Sequence, residues 1–399
     1  MEILRTLSQR NDKRIVLFVL DGLGGLPREK GGKTELETAD TPNLDALARE
    51  SECGLHDPLG IGITPGSAPG HLSLFGYNPF DYMIGRGVVA AMGIAFPMKD
   101  GDVAVRMNFA SKDESGSITD RRAGRIPTDK CAELCELLKD VSIEGVEVFV
   151  KPVKDYRAVV VFRGPDLSDH VSDTDPQATG VKPLEPKGGD EDAEKTVRVV
   201  SEFLRQVNEI LKGQSPANTV LLRGFAELPY IPSMEDVFKL SPVALAVYPD
   251  YKGVSRLVGM EVVEGLSGFD DQGRALKDSW NRHDFFFVHH KYTDSKGEDG
   301  DFDGKVAEIE KADAFLPTIL DLEPDVLIVT GDHSTPAVLK SHSGHPVPFL
   351  INAAGIRPDE TERFGERDCF RGAWGGVIQG SQLIRLAMSY SDKLAKFGA

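Results

Sequence analysis

Ser67 stands in the turn Thr64-Pro65-Gly66-Ser67-Ala68-Pro69-Gly70-His71. A serine hydroxyl in a turn bounded by glycine and proline can be brought up to metal ions, and the rest of the chain supplies ligands for them. Asp21 follows an apolar run. Asp294 and Glu298 lie in Tyr292-Thr293-Asp294-Ser295-Lys296-Gly297-Glu298-Asp299. Asp332, His333, His342 and His345 lie between Gly331 and Pro346. Carboxylates with imidazoles suit Mn, Zn, Co or Mg rather than a soft thiolate site, and there are enough of them for two ions. A serine activated by metal is a nucleophile whose natural electrophile is phosphorus, and two-metal sites recur in phosphoryl transfer. Singly each residue has a plainer reading: a turn serine, a strand-end aspartate, a helix cap, a solvated acidic loop. Taken together, those readings require four unrelated coincidences.

The elements that must position these residues are legible. Ile15 to Leu20 is a continuous apolar run of strand length, stopped by Asp21-Gly22, as for a buried parallel strand. Open α/β sheets bind ligands at such carboxyl ends. Thr41-Pro42 marks a helix start before Asn43 to Glu50. Phe285 to Val288 runs into His289-His290, Val326 to Val329 into Thr330-Gly331-Asp332-His333, and Pro348 to Ile351 is a further strand. Asp303 to Leu320 is an amphipathic helix, and Val377 to Tyr390 is expected as a closing one. Strands alternating with helices predict a doubly wound α/β domain. Between about 90 and 240 the strands, Val103 to Phe109 and Arg157 to Phe162, end in no ligand cluster. This predicts a smaller α+β domain (91–239) inserted into a discontinuous catalytic one (1–90 and 240–399). Its charged loop from Gly164 to Asp192 is either disordered or in contact with substrate, and a long helix from Glu191 to Leu211 follows.

The chain has 399 residues and a formal net charge of -17, which argues against nucleic acid as a partner, because phosphate backbones need a basic face. A small anion is still admissible through local arginines and metals. No run is long enough to cross a bilayer, the first residues lack a secretory apolar core, and four cysteines without zinc spacing read as free thiols. The expected location is the cytoplasm.

Several stretches resemble the cofactor-independent phosphoglycerate mutases of the archaeal type, within the alkaline phosphatase superfamily. They are VLDGLGG (19–25), ADTPNLDALA (39–48), TPGSAPGHLSLFGY (64–77), GRGV (85–88), DRRAGR (120–125), SDTDP (172–176), LLRG (221–224), YTDSKGEDGDFDGKV (292–306), VTGDHSTP (329–336) and HSGHPVPFL (342–350). The resemblance implies an alkaline-phosphatase-like catalytic domain and a phosphoserine mechanism. Ser67 would take the phosphoryl group of 3-phosphoglycerate and return it to the 2-hydroxyl, with no 2,3-bisphosphoglycerate. It further implies one metal held by Asp21, Ser67, Asp332 and His333, and another by Asp294, the position of Glu298, and His342.

The family pattern has histidine four residues after the second-site aspartate, where this chain has Glu298. Glutamate makes that site harder and more anionic, favouring Mn or Mg over Zn, and Asp299 is a substitute ligand. Phosphate and carboxylate call for guanidinium groups. Arg121, Arg122 and Arg125 supply three in five residues. Arg223, Lys252, His170 and Asp175 resemble substrate-contacting positions. Two competing readings are a metal-dependent phosphatase or phosphopentomutase on the same catalytic domain, and a binding protein derived from it. A mutase must exclude water from the phosphoserine, which an arginine-rich inserted domain able to close would do.

Overall fold

The computed structural model describes residues 1–374 and 376–398. In chain order the strands are β1 (Ile15–Leu20), β2 (Glu52–Asp57), β3 (Val103–Lys112), β4 (Ile118–Asp120), β5 (Glu147–Lys154), β6 (Arg157–Arg163), β7 (Thr219–Ala226), β8 (Pro242–Ala246), β9 (Glu261–Val262), β10 (Phe285–His290), β11 (Val326–Thr330), β12 (Val347–Ala353) and β13 (Val377–Gln379).

The chain forms two compact units, residues 1–83 with 231 onward, and residues 84–230. The joins precede the 90 and 240 drawn from sequence. At the first, helix Arg86–Gly93 packs on β3, β6 and β7 and so belongs with the second unit.

The first unit holds an eight-stranded sheet in the order β13-β2-β12-β11-β1-β10-β8-β9. Only β12 runs against the rest. Every residue of β1 is buried. Val16, Phe18 and Leu20 join one apolar cluster with Leu276, Ile309 and Leu316 from helices Phe269–Ser279 and Phe302–Leu320. Leu17 and Val19, of opposite parity, are buried on the other face, where the pleat directs them. A strand buried on both faces has no polar side to show, hence the unbroken apolar run.

Two local expectations change. Val377–Gln379 is an edge strand parallel to β2, and the closing helix begins only at Leu383, after a tight turn whose Gln379 and Gln382 side chains cap each other. Thr41 occupies the N-cap of helix Pro42–Ala48, but its hydroxyl bonds Asp45 (3.3 Å) instead of a backbone N–H.

The second unit is an antiparallel sheet, β4-β3-β6-β5 with β7 also on β3. Phe203 of helix Glu194–Ile210 meets Phe162 edge-on within its core. The segment 164–192 is tied down, not disordered. Backbone bonds join Thr174 to Leu222 (2.9 Å), and Ile118 to Val181 and Gly180 (2.8 Å each).

Candidate metal and nucleophile centre

β1 lies between β10 and β11, parallel to both, so three carboxyl ends emerge side by side. Asp21 leaves β1, Asp332 and His333 leave β11, and β10 ends in His289-His290 before helix Tyr292–Asp299, which carries Asp294 and Glu298. Gly22 has φ +64°, and a Cβ there would sit 2.6 Å from Thr335 Oγ1, so only glycine lets the two loops approach. Ser67 opens helix Ser67–Leu74, after Gly66 in extended conformation.

These loops bring the first set together. His333 Nε2 lies 3.3 Å from Ser67 Oγ, 3.4 Å from Asp21 Oδ1 and 3.2 Å from Asp332 Oδ2. In the second set His342 Nε2 lies 3.4 Å from Asp294 Oδ1 and 4.0 Å from Glu298 Oε1. The His333 and His342 rings stack at 3.7 Å, joining the two sets. Glu298 is one helical turn from Asp294, but its side chain is 56% exposed and stands at the rim. His345 is exposed and bonds Ser343 (3.0 Å).

Hydrogen bonds fix the imidazole tautomers. Thr335 Oγ1 donates its one proton to Asp294 Oδ1 (2.7 Å), so it must accept from His333 Nδ1 (2.9 Å). His342 Nδ1 donates to the Pro65 carbonyl (2.8 Å). In their neutral forms both rings therefore aim an Nε2 lone pair into the cluster.

Residues not assigned as ligands or substrate groups from sequence stand behind the carboxylates. His289 Nε2 lies 3.1 Å from Asp21 Oδ2. His71, one turn beyond Ser67, faces both the Ser67 carbonyl (2.8 Å) and Asp332 Oδ2 (3.1 Å) through Nδ1. Lys291 pairs with Asp294 and lies 3.7 Å from Asp21. The signals were present: His71 at i+4 from the serine, and His289 in register with Val19 two residues before Asp21.

Burial, then the Asp332 charge, raises Asp21 to about 6. Burial also acts to raise Asp332, but His333 and His71 outweigh it and hold it down. Burial lowers His333. Burial would lower His342 too, yet Asp294 outweighs it and raises it to about 9. Asp21 Oδ1 and Asp332 Oδ2 are buried and accept no hydrogen bond. Two undonated carboxylate oxygens converging with two imidazole lone pairs fit divalent cations. Among the described residues, three groupings of His and acid side chains have ligand atoms close enough to share an ion: Asp21-Asp332-His333, Asp294-His333-His342 and Asp21-His71-His289.

Of the substrate-side candidates, Arg121 grips buried Asp175 through two bonds (2.8 and 2.6 Å), and Arg223 approaches the same carboxylate (3.5 Å). Arg122 and Arg125 are exposed in a turn held by Asp120, which accepts from the Arg122 and Gly124 N–H groups (2.8 and 2.6 Å). Ala123, Gly124 and Arg125 all have positive φ there. The ion pairs of His170 go instead to Asp169 and Asp190. Lys252, in the first unit, pairs with Glu264 (2.7 Å).

A protein of Thermus thermophilus named "Probable 2,3-bisphosphoglycerate-independent phosphoglycerate mutase" is 50% identical over 402 residues, covering 100% of this chain and 99% of the relative. The chain belongs to that family. A family model described as 2,3-bisphosphoglycerate-independent phosphoglycerate mutase matches residues 48–218. A relative from Aquifex aeolicus carrying the same name is 49% identical over 411 residues, with both chains covered in full. The solved structure of the PH0037 protein from Pyrococcus horikoshii is 30% identical with a TM-score of 0.83, covering 97% of this chain and 99% of that one. A cofactor-independent phosphoglycerate mutase from Thermoplasma acidophilum is also 30% identical, with a TM-score of 0.68 over 95% of this chain and 100% of that one. The chain is thus an isomerase of the class that works without 2,3-bisphosphoglycerate. Among its described residues no helix is long and apolar enough to cross a membrane.

Proposed function

We propose that the chain interconverts 3-phosphoglycerate and 2-phosphoglycerate through a phosphoserine at Ser67, beside two divalent cations. The observation that carries this reading is Ser67 Oγ 3.3 Å from His333 Nε2, at the edge of a buried group of acids and imidazoles. Asp21, Ser67, Asp332 and His333 would hold one cation, and Asp294 and His342 the other, with Glu298 or Asp299 at its rim. Oxygen-rich ligation favours Mn, with Mg, Co or Zn as alternatives. Bound cations would lower the pKa of the Ser67 hydroxyl and offset charge on the transferring phosphoryl group.

Ser67 Oγ gives up its proton and attacks phosphorus as the bond to the glycerate 3-oxygen breaks, and that oxygen takes up a proton in exchange. The freed glycerate reorients, its 2-hydroxyl attacks the phosphoserine, and Oγ leaves. Position at a helix N-terminus suits Ser67 to an anionic adduct. Arg121, Arg122, Arg125 and Arg223 are suited to the carboxylate and phosphate of the substrate, with Asp175 holding Arg121 in place. His170 and Lys252 complete the substrate set. Keeping water from the phosphoserine is the role we assign to the unit of residues 84–230. Four buried cysteines, all free thiols, agree with a cytoplasmic enzyme.

The test is a coupled assay of 3-phosphoglycerate with Mn2+ and no 2,3-bisphosphoglycerate. Wild type should form 2-phosphoglycerate, and Ser67→Ala should form none while still binding Mn2+. Activity above a trace in Ser67→Ala would sink the phosphoserine route. Release of inorganic phosphate in place of 2-phosphoglycerate would favour the phosphatase reading.

A further inference from the structure

Lys305 is fully buried, although it is a lysine in the first turn of helix Phe302–Leu320. That is the positive end of the helix, where a second positive charge is disfavoured. The other fully buried lysine, Lys393, has a carboxylate partner, Asp284, at 2.9 Å. Lys305 has three main-chain carbonyls instead: Gly22 at 2.8 Å, Gly24 at 3.0 Å and Thr335 at 2.9 Å. Three acceptors require three N–H donors, which an ammonium has and a neutral amine lacks. Removing such a charge from water is costly unless every donor is used, and here every donor is used.

The acceptors are not scattered. Gly22 and Gly24 follow Asp21, and Thr335 follows Asp332-His333. The helix bearing Lys305 comes directly after the one bearing Asp294 and Glu298. One ammonium thus ties together the three segments that carry the acids and His333. The fit is close. Thr335 N also bonds the Gly24 carbonyl (3.0 Å), and a Cβ on Gly24 would lie 1.9 Å from Ser334 Oγ.

We propose that Lys305 is a positioning residue for the metal centre: its ammonium draws the Gly22, Gly24 and Thr335 carbonyls together and so sets Asp21, Asp332 and His333 in ligating position before a cation arrives. The inference rests on the metal reading of the site given above. The hydrogen bonds of Lys305 go to main-chain carbonyls, so its loss acts on the affinity for metal and not on the chemistry once metal is bound.

Lys305→Met keeps the length of the side chain and removes all three donors. In chelator-treated full-length protein, the Kd for Mn2+ measured by calorimetry should rise about 10- to 100-fold, the range typical when support behind metal ligands is lost. The Mn2+ concentration for half-maximal activity should rise in step, with kcat at saturating Mn2+ within a few-fold of wild type. Ile309→Ala, one turn further along the same helix and fully buried, is the control for plain destabilisation. It should lower the Tm and leave the Kd for Mn2+ unchanged. If Lys305→Met does not fold, Lys305→Gln retains two donors on a shorter arm and should give an intermediate Kd. The proposal is overturned if either Lys305 variant binds Mn2+ like wild type, or if Ile309→Ala weakens binding as much as they do. Wild-type protein that turns over phosphoglycerate yet binds none of Mn2+, Mg2+, Co2+ and Zn2+ overturns the metal reading itself, and this inference with it.

Discussion

Thr335→Val changes one hydroxyl to a methyl and tests whether the two ligand sets are coupled. That hydroxyl donates to Asp294 and accepts from His333, so it orients a member of each set at once. Valine has nearly the same shape, leaving packing in place. A hydrogen bond to an ionised acceptor contributes about 1.5–3 kcal/mol. At about 1.4 kcal/mol per tenfold, losing it should raise the Mn2+ requirement by about 10- to 150-fold. The loss of the His333 Nδ1 anchor acts in the same direction, because the ring is then free to turn its Nε2 lone pair away. The assay is activity of chelator-treated enzyme against added Mn2+, with thermal unfolding of the metal-free protein as a check on the fold. Thr335→Ser restores the hydroxyl and should titrate close to wild type. The reasoning is refuted if the valine variant titrates like wild type, or if the serine variant falls as far as the valine one.

Further outcomes follow from the same geometry. Glu298→Gln should raise the Mn2+ needed for half-maximal activity, and Glu298→His should shift preference toward Co or Zn; unchanged values for Mn and Co in both would leave Asp299 as the rim ligand. Because Asp294 keeps His342 protonated up to about pH 9 in the absence of metal, a cation binding at its Nε2 must displace that proton. At pH 7 Mn2+ binding should therefore release about one proton, and affinity should weaken as the pH falls further. The release is read as a dependence of the binding heat on the ionisation enthalpy of the buffer, and a buffer-independent heat at pH 7 would contradict it.

The grouping of the candidate residues is legible because a parallel strand buried on both faces writes itself as an apolar run, and the run stops where the chain meets the cluster of acids and imidazoles. Asp21 and Asp332 were visible for that reason. His289 was harder to read. It ends an equally apolar run, but its role depends on lying beside Asp21, and the pairing of β1 with β10 across more than 260 residues is not a local property. Lys305 was hidden by its type, since a lysine at a helix start reads as solvated until its carbonyl partners are known. Gln379 to Gln382 defeated the helix pattern because two side chains cap a turn where periodicity alone continues. The segment 164–192 has the composition of a mobile loop, and only its backbone bonds to β7 and β4 show otherwise.

The order in which the sheet receives its strands has a consequence for biosynthesis. β1 leaves the ribosome well before the neighbours on its two edges, β10 and β11, which lie some 300 residues later. At about 5–20 residues per second, a fully apolar strand waits roughly 15–60 seconds for the partners that cover it. Residues 84–230 form a contiguous unit and can fold during that interval. The unit carrying Ser67 cannot close until β11 is made, and Asp332 and His333 follow it directly. A nascent chain interrupted before that point would carry Ser67 without its centre, and an unpaired apolar β1 open to chaperones.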